Sequence, residues 1–125
     1  MLIGDFFKIN ITTLSEDNKK TIFNITLNPE HLIFKGHFPG NPIAPGVCLT
    51  QIITDLIGKI EGCVMFLKSA DYLKFINIVN PLEHCSLNVE IKIINREKEY
   101  IKAECIIFAD SLIFFKSKGV YSQNL

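Results

Sequence analysis

Residues 36–60, GHFPGNPIAPGVCLTQIITDLIGKI, decide how this chain folds. The first half, residues 36–47, contains three glycines and three prolines and leads directly into an apolar segment. Proline fixes its own φ at about −65° and biases the preceding residue away from the helical region, whereas glycine permits tight turns. Such a loop holds His37 in one place at the start of a helix. Two interpretations follow. In the first, His37 is an acid/base group presented by a rigid loop; in the second, the prolines and glycines only form turns of an ordinary loop and His37 has no special role.

The second half of the stretch predicts one buried helix over residues 46–60. Its apolar residues cover most of the circumference of that helix: Cys48, Leu49, Ile52, Ile53, Leu56, Ile57 and Ile60. A narrow polar stripe recurs at helical spacing and consists of Thr50, Gln51, Thr54, Asp55 and Gly58. A helix that is apolar nearly all round is buried. The polar stripe must therefore face a polar cleft, a partner subunit or a ligand.

The rest of the chain alternates apolar and polar residues with the period of β-strands. The predicted strands lie within residues 21–27, 64–75, 87–93, 101–107 and 112–121. Residues 2–14 predict a strand, or a short helical turn followed by one, and the polar segment 95–99 predicts a hairpin turn. The pattern favours an α+β fold in which an antiparallel sheet of five or six strands wraps one long central helix, within a single domain over residues 1–125.

The composition is that of a globular chain, with 125 residues, 48% of them hydrophobic, and a formal net charge of zero. A net charge of zero leaves no overall field to recruit nucleic acid or an anionic membrane. No apolar run approaches the roughly 20 residues that a membrane-spanning helix needs, and the first residues do not resemble a secretory signal. We therefore expect a cytoplasmic protein. The four cysteines lack metal-site spacing, so we expect four small buried hydrophobes and no metal.

The loop over residues 36–47 resembles, nearly throughout, the signature of the 3-hydroxyacyl-acyl-carrier-protein dehydratases of the FabA/FabZ type. A weaker resemblance extends over residues 20–110 and includes Asn28-Pro29, Phe34, Lys74-Phe75 and Pro81-Leu82-Glu83. This resemblance implies a hot-dog fold, closed by dimerisation into a continuous double sheet. It also implies the reaction of that family, the reversible elimination of water from a 3-hydroxyacyl thioester, with no organic cofactor.

The resemblance also implies the roles of individual residues. His37 would be the base that removes the proton next to the thioester carbonyl, with its imidazole oriented by the carbonyl of Ile43. The backbone N–H of Gly46, at the helix N-terminus, would hold the thioester oxygen. The expected substrate-binding residues are Phe34, Phe38, Ile43, Pro45 and Val47.

The helix departs from the family pattern at two positions. Six residues after the proline of its Pro-Gly-Val, the family has Glu or Asp, whereas this chain has Gln51. One helical turn later the family usually has Gln, whereas this chain has Asp55. An amide does not titrate, so it cannot donate a proton as a carboxylic acid does. In one hypothesis Asp55 acts as the acid from one turn away. In a second, Gln51 orients the hydroxyl or a water while His37, alone or helped by a partner chain, transfers the protons. In a third, the protein keeps the fold without the chemistry, as a binding module or one subunit of a heterodimer.

The expected partner is an acyl carrier protein that brings the substrate. Lys35, Lys68 and Lys74 are candidates to steer it, because such carriers are acidic. In the family the acidic residue on the helix comes from the other subunit, which makes a dimer necessary. We expect a homodimer, with a heterodimer of two hot-dog chains as the alternative, in fatty-acid-like or polyene biosynthesis. A thioesterase of the same fold is a weaker option, because those enzymes generally lack the His-Phe-Pro-Gly loop.

Overall fold

The computed structural model describes residues 2–36, 40 and 42–124. Its strands are β1 (Phe7–Leu14), β2 (Lys20–Leu27), β3 (Phe66–Phe75), β4 (Ser86–Arg96), β5 (Ile101–Ala109) and β6 (Leu112–Ser122). Its helices are α1 (Leu32–Gly36) and α2 (Gly46–Glu61). The strands form one antiparallel sheet in the order β1-β2-β4-β5-β6-β3. The predicted antiparallel sheet of five or six strands with one long helix is therefore confirmed, with six strands observed.

Strand β5 illustrates how alternation builds the sheet. Ile101, Ala103, Cys105 and Ile107 are buried, whereas the residues between them are only half-buried. Because successive side chains of a strand point to opposite faces, one face of β5 is buried and apolar, whereas the other is half-buried and mixed, with Lys102 and Glu104 followed by Ile106 and Phe108. The apolar face joins that of β4 in one core, with Val89 opposite Ile107 in the ladder.

Helix α2 packs its apolar side into the same core. Leu49, Ile52, Ile53, Leu56 and Ile57 are all buried and belong to one cluster with the inward-facing sheet residues. The helix ends at Glu61 and is capped by Gly62. The φ of Gly62, 76°, is in the left-handed region, and its N–H donates to the carbonyl of Gly58 over 2.8 Å. Among the described residues, no helix has the length and apolar character needed to cross a membrane.

The polar stripe of α2 is partly satisfied by the helix itself. The hydroxyl of Thr50 donates to the carbonyl of Gly46 over 3.1 Å, and that of Thr54 donates to the carbonyl of Thr50 over 2.9 Å. Such bonds to the preceding turn let a threonine lie in a buried helix without another partner. These two hydroxyls therefore need no partner outside the helix, although both threonines line a groove along α2 together with Gln51 and Asp55. Gln51 and Asp55 remain to be explained.

The structure differs from the sequence-based expectations in three places. Helix α1 was not predicted, because five residues are too few to show a helical period. Strand β3 begins at Phe66, two residues later than the predicted segment 64–75. Cys63 is exposed, because it follows the helix end in a turn, and Cys85 is half-buried, so only Cys48 and Cys105 are the buried cysteines that were expected.

Cys105 is expected to resist alkylation as long as the protein is folded. Burial raises the pKa of this thiol to about 12, so at mildly alkaline pH it stays protonated, and the thiolate is the reactive form. Iodoacetamide followed by peptide mass mapping should label Cys63 in the folded protein and Cys105 only in denaturant. Rapid labelling of Cys105 without denaturant would contradict its burial in the core.

Candidate active site

The N-terminus of α2 presents backbone donors. Pro45 precedes the helix with extended backbone (φ −60°, ψ 146°) and makes no side-chain capping hydrogen bond. Its carbonyl accepts the N–H groups of Cys48 and Leu49 over 2.9 and 3.3 Å. The N–H groups of Gly46 and Val47 belong to the first turn, which has no acceptor within the helix. Among the described residues no backbone acceptor meets either of them.

An aromatic ring lies directly against this helix end. Phe75, the last residue of β3, stacks on Phe115 with ring centroids 4.8 Å apart and an interplanar angle of 21°. A Cβ added to Gly46 would come within 2.8 Å of the Phe75 ring. Glycine at this position is therefore what allows the ring to approach the helix terminus. Phe75 is still 55% exposed, so one side of the ring remains open.

A cleft of about 370 Å³ opens between this helix end and the chain that follows β3. Its lining is mostly apolar: Ile43, Ala44, Pro45, Gly46, Leu49, Phe75, Ile76, Asn77, Ile78 and Val79. Ile43, Pro45 and Gly46, all expected from the sequence to act on substrate, lie here together. An apolar cleft that reaches Gly46, at the N-terminus of α2, suits an acyl chain with a carbonyl head.

A second opening runs along α2 and the start of β3. It has a volume of about 550 Å³, and Val47, Thr50, Gln51, Thr54 and Asp55 line its helix side. Val47, expected to contact substrate, is 75% exposed here. Phe34, which shares that expectation, is instead 2% exposed and stacks on Phe6 at a centroid distance of 5.0 Å. His37 and Phe38 lie outside the described residues.

Gln51 and Asp55 are joined directly. The amide nitrogen of Gln51 donates to Oδ1 of Asp55 over 2.7 Å, as expected for residues four apart on a helix. The second carboxylate oxygen, Oδ2, accepts the backbone N–H of Leu2 over 2.6 Å. Asp55 is 5% exposed. Both of its oxygens are therefore used as acceptors, and the carboxylate supports Gln51 rather than standing free in the groove.

Sequence reasoning missed the contribution of Leu2. The donor is a main-chain N–H, 53 positions before Asp55 in the sequence, and any residue other than proline carries such a group. No residue type or spacing marks it in advance. What the helix pattern did indicate was that Asp55 needs a polar partner.

The fold defines the class of this protein. A six-stranded antiparallel sheet with one long helix packed on it is a hot-dog fold. One chain of the dehydratase heterocomplex ApeI:P from Xenorhabdus doucetiae superposes on it with a TM-score of 0.68 at 17% identity, over 91% of this chain and 96% of that one. At that identity the likeness concerns the fold.

The sequence comparison defines the family. The model of the ApeI-like family, described as ApeI dehydratase, matches residues 13–111, and this chain belongs to that family. A 3-hydroxyacyl-[acyl-carrier-protein] dehydratase FabZ from Fusobacterium nucleatum is 30% identical over 95 residues, which cover 72% of this chain and 64% of that protein. The FabZ of Oenococcus oeni is 32% identical over 75 residues, which cover 54% of this chain and 52% of that protein. The chain thus spans about half to two thirds of the length of these relatives.

Proposed function

We propose that this protein is a 3-hydroxyacyl-[acyl-carrier-protein] dehydratase, which eliminates water from a 3-hydroxyacyl thioester to give a trans-2-enoyl thioester. The observation that carries the proposal is membership of the ApeI-like dehydratase family, with the histidine loop of residues 36–47 retained in the sequence. The apolar cleft lined in part by Gly46 supports it further. The function would reside in a single hot-dog domain over residues 1–125, acting in fatty-acid-like or polyene biosynthesis.

In the proposed mechanism His37 transfers both protons. Its neutral imidazole removes the proton from C2 of the substrate, and negative charge develops on the thioester oxygen. The N–H of Gly46 stabilises that charge, because it lies at the positive end of the α2 dipole. The imidazolium then protonates the 3-hydroxyl group, the C3–O bond breaks, and water leaves as the C2–C3 double bond forms. A histidine that starts and ends neutral needs no second titrating residue.

Gln51 has an orienting role in this mechanism. One N–H of its amide is bound to Asp55, which leaves the second N–H and the amide oxygen for a substrate hydroxyl. An amide held in this way can fix the direction of the hydroxyl without exchanging a proton. Asp55, buried and with both oxygens accepting hydrogen bonds, fits a support for Gln51 better than a general acid. Of the three hypotheses from the sequence, the second agrees best with these contacts.

A dimer is part of the proposal. Val47, Gln51 and Val64 line an open groove in the single chain, and the two valines are 75% and 52% exposed. Apolar side chains at such exposure favour coverage by another chain. A second copy would bring the histidine loop of one protomer to the Gln51 of the other, as the family resemblance implies.

A second candidate function has its own support. Gln51 stands where the family has an acid, and a solved structure with this fold is a dehydratase heterocomplex. The chain could thus be a catalytically impaired subunit that binds acyl carrier protein or pairs with an active hot-dog partner. Turnover by the purified chain alone separates the two functions, since the impaired subunit requires its partner for any dehydration.

The carrier protein is expected to approach the outer face of β3 and β6. Lys74 is paired with Lys116 across these strands, and Lys118 lies one position further along the same face. Among the described residues none of the three forms an ion pair. Of the other candidates from the sequence, Lys35 is paired with Glu30, and Lys68 is held by the carbonyl of Asn124. Lys74 is also adjacent to Phe75, at the cleft.

The variant Lys74→Glu is expected to raise the KM for a carrier-protein substrate about five-fold, the effect of a single solvent-exposed ion pair. The KM for the same acyl group on a small thiol should not change, because that substrate carries no acidic surface. Lys98→Glu, in the exposed hairpin turn between β4 and β5, makes the same change in net charge and should leave both KM values unaltered. An equal rise in KM for the small substrate would exclude a docking role for Lys74.

A further inference from the structure

The chain before β1 forms a compact turn over residues 2–7, here called the N-terminal turn. The carbonyl of Leu2 accepts the N–H groups of Asp5, Phe6 and Phe7 over 3.4, 2.9 and 3.3 Å. Gly4 closes the turn with a φ of 89° and donates its N–H to the carbonyl of Phe7. The family model begins at residue 13. The turn is thus a well-defined structure that the family match does not include.

The N-terminal turn is bound to helix α2 at the Gln51–Asp55 pair. The N–H of Leu2 donates to Oδ2 of Asp55 over 2.6 Å, while Gln51 donates to Oδ1 over 2.7 Å. Hydrogen bonds of this length to a carboxylate are charge-assisted and stronger than bonds between neutral groups. With one oxygen fixed by Leu2, the carboxylate cannot rotate away from Gln51 without losing a bond.

The same turn is also bound to helix α1. Phe6 is fully buried, stacks on Phe34 at 5.0 Å and meets the edge of His31 at 5.3 Å. His31 contacts the Asp5 carboxylate over 3.0 Å, and its Nδ1 accepts the N–H of Ile33 in the first turn of α1. Helix α1 ends at Gly36, the residue before His37 in the sequence. The turn therefore contacts both helices that adjoin the proposed catalytic groups.

We propose that the N-terminal turn is a positioning element of the active site, and that the Leu2 N–H holds Asp55 so that Asp55 fixes the amide of Gln51. This inference rests on the proposed dehydratase function. A glutamine side chain rotates about three bonds, and it loses this rotational freedom only when its amide group is held in place. The turn supplies the fixed point, and without it the Gln51 amide samples several directions relative to the substrate hydroxyl. Loss of orientation at a reacting group lowers kcat, whereas substrate affinity, set by the apolar cleft, is unaffected.

Two variants of one residue separate positioning from packing. With Met1 retained, Leu2→Pro removes the N–H donor and keeps an apolar side chain, whereas Leu2→Ala keeps the N–H and loses most of the partly buried side chain. Leu2→Pro is expected to lower kcat between about 10-fold and 100-fold with an unchanged KM. Leu2→Ala is expected to lower the melting temperature while kcat stays at the wild-type value.

A spectroscopic readout makes the test independent of turnover. The side-chain amide of Gln51 should give shifted ¹H–¹⁵N resonances in Leu2→Pro and wild-type resonances in Leu2→Ala. If Leu2→Pro does not fold, Asp55→Asn takes its place, because a neutral amide weakens both bonds and should give the same shift and the same fall in kcat. If the wild type has no turnover, the proposed function fails and the resonances alone decide the positioning role. Equal kcat values and equal Gln51 resonances in the two Leu2 variants would overturn the inference.

Discussion

The variant His37→Ala is expected to lower kcat for dehydration by about 10⁴-fold, the upper end of what one general acid–base residue contributes. The effect is that large because His37 is proposed to perform both proton transfers, and Gln51 cannot replace it in either one. Intact-protein mass spectrometry of a 3-hydroxyacyl carrier protein, which follows the loss of one water, measures the rate directly. Binding of the carrier protein should not change.

His84→Gln is the matched control for this variant. His84 is half-buried and packs its ring edge against Phe114 at 5.1 Å, on the segment between β3 and β4. It has no role in the proposed chemistry, so its replacement should leave kcat at the wild-type value. A fall of less than about 10-fold in His37→Ala would contradict the mechanism, since a typical acid–base residue contributes at least 10²-fold.

The variant Gly46→Ala is expected to lower kcat by about 10²-fold, comparable to the loss of one oxyanion donor. Its Cβ would lie 2.8 Å from the Phe75 ring, so either the ring or the first turn of α2 must move. Both border the cleft that is proposed to receive the thioester. Steady-state kinetics with a carrier-protein substrate would show a fall in kcat in a protein that still folds.

The double variant Gly46→Ala/Phe75→Leu should recover part of the lost kcat, since leucine removes the ring atoms that clash. Full activity of Gly46→Ala alone would contradict the expected displacement at this helix end and the effect proposed for it on the cleft.

The helix and the strands of the core were predictable because burial imposes a period on the sequence. The alternation of Ile101, Ala103, Cys105 and Ile107 is that of a strand with one face in the core, and the structure confirms it. The same reasoning located α2 to within one residue, since 46–60 was predicted and Gly46–Glu61 is observed. Periodicity works here because the elements are long enough for the pattern to repeat.

The candidate site was predictable only where its groups are close in sequence. Gln51 and Asp55 are four residues apart, so a helix brings them together. The contact of Asp55 with Leu2 depends on tertiary structure, and a main-chain donor leaves no trace in residue type. Helix α1 was missed for a related reason: it is short, and its first turn is stabilised by His31, which is itself held by Asp5. The roles of His37, Phe38 and the other site residues remain predictions.

The most direct test of the account is to incubate the purified chain alone with short and long 3-hydroxyacyl carrier proteins and to follow the loss of water by mass spectrometry. The account predicts water loss by the wild type, none detectable with His37→Ala, and a reduced rate with Gln51→Ala and with Asp55→Asn. A reduced but measurable rate in Gln51→Ala and Asp55→Asn would indicate an orienting amide and its support, whereas complete loss of activity would indicate a general acid. No turnover by a wild-type dimer that binds the carrier protein would contradict the account and favour a subunit that requires an active partner.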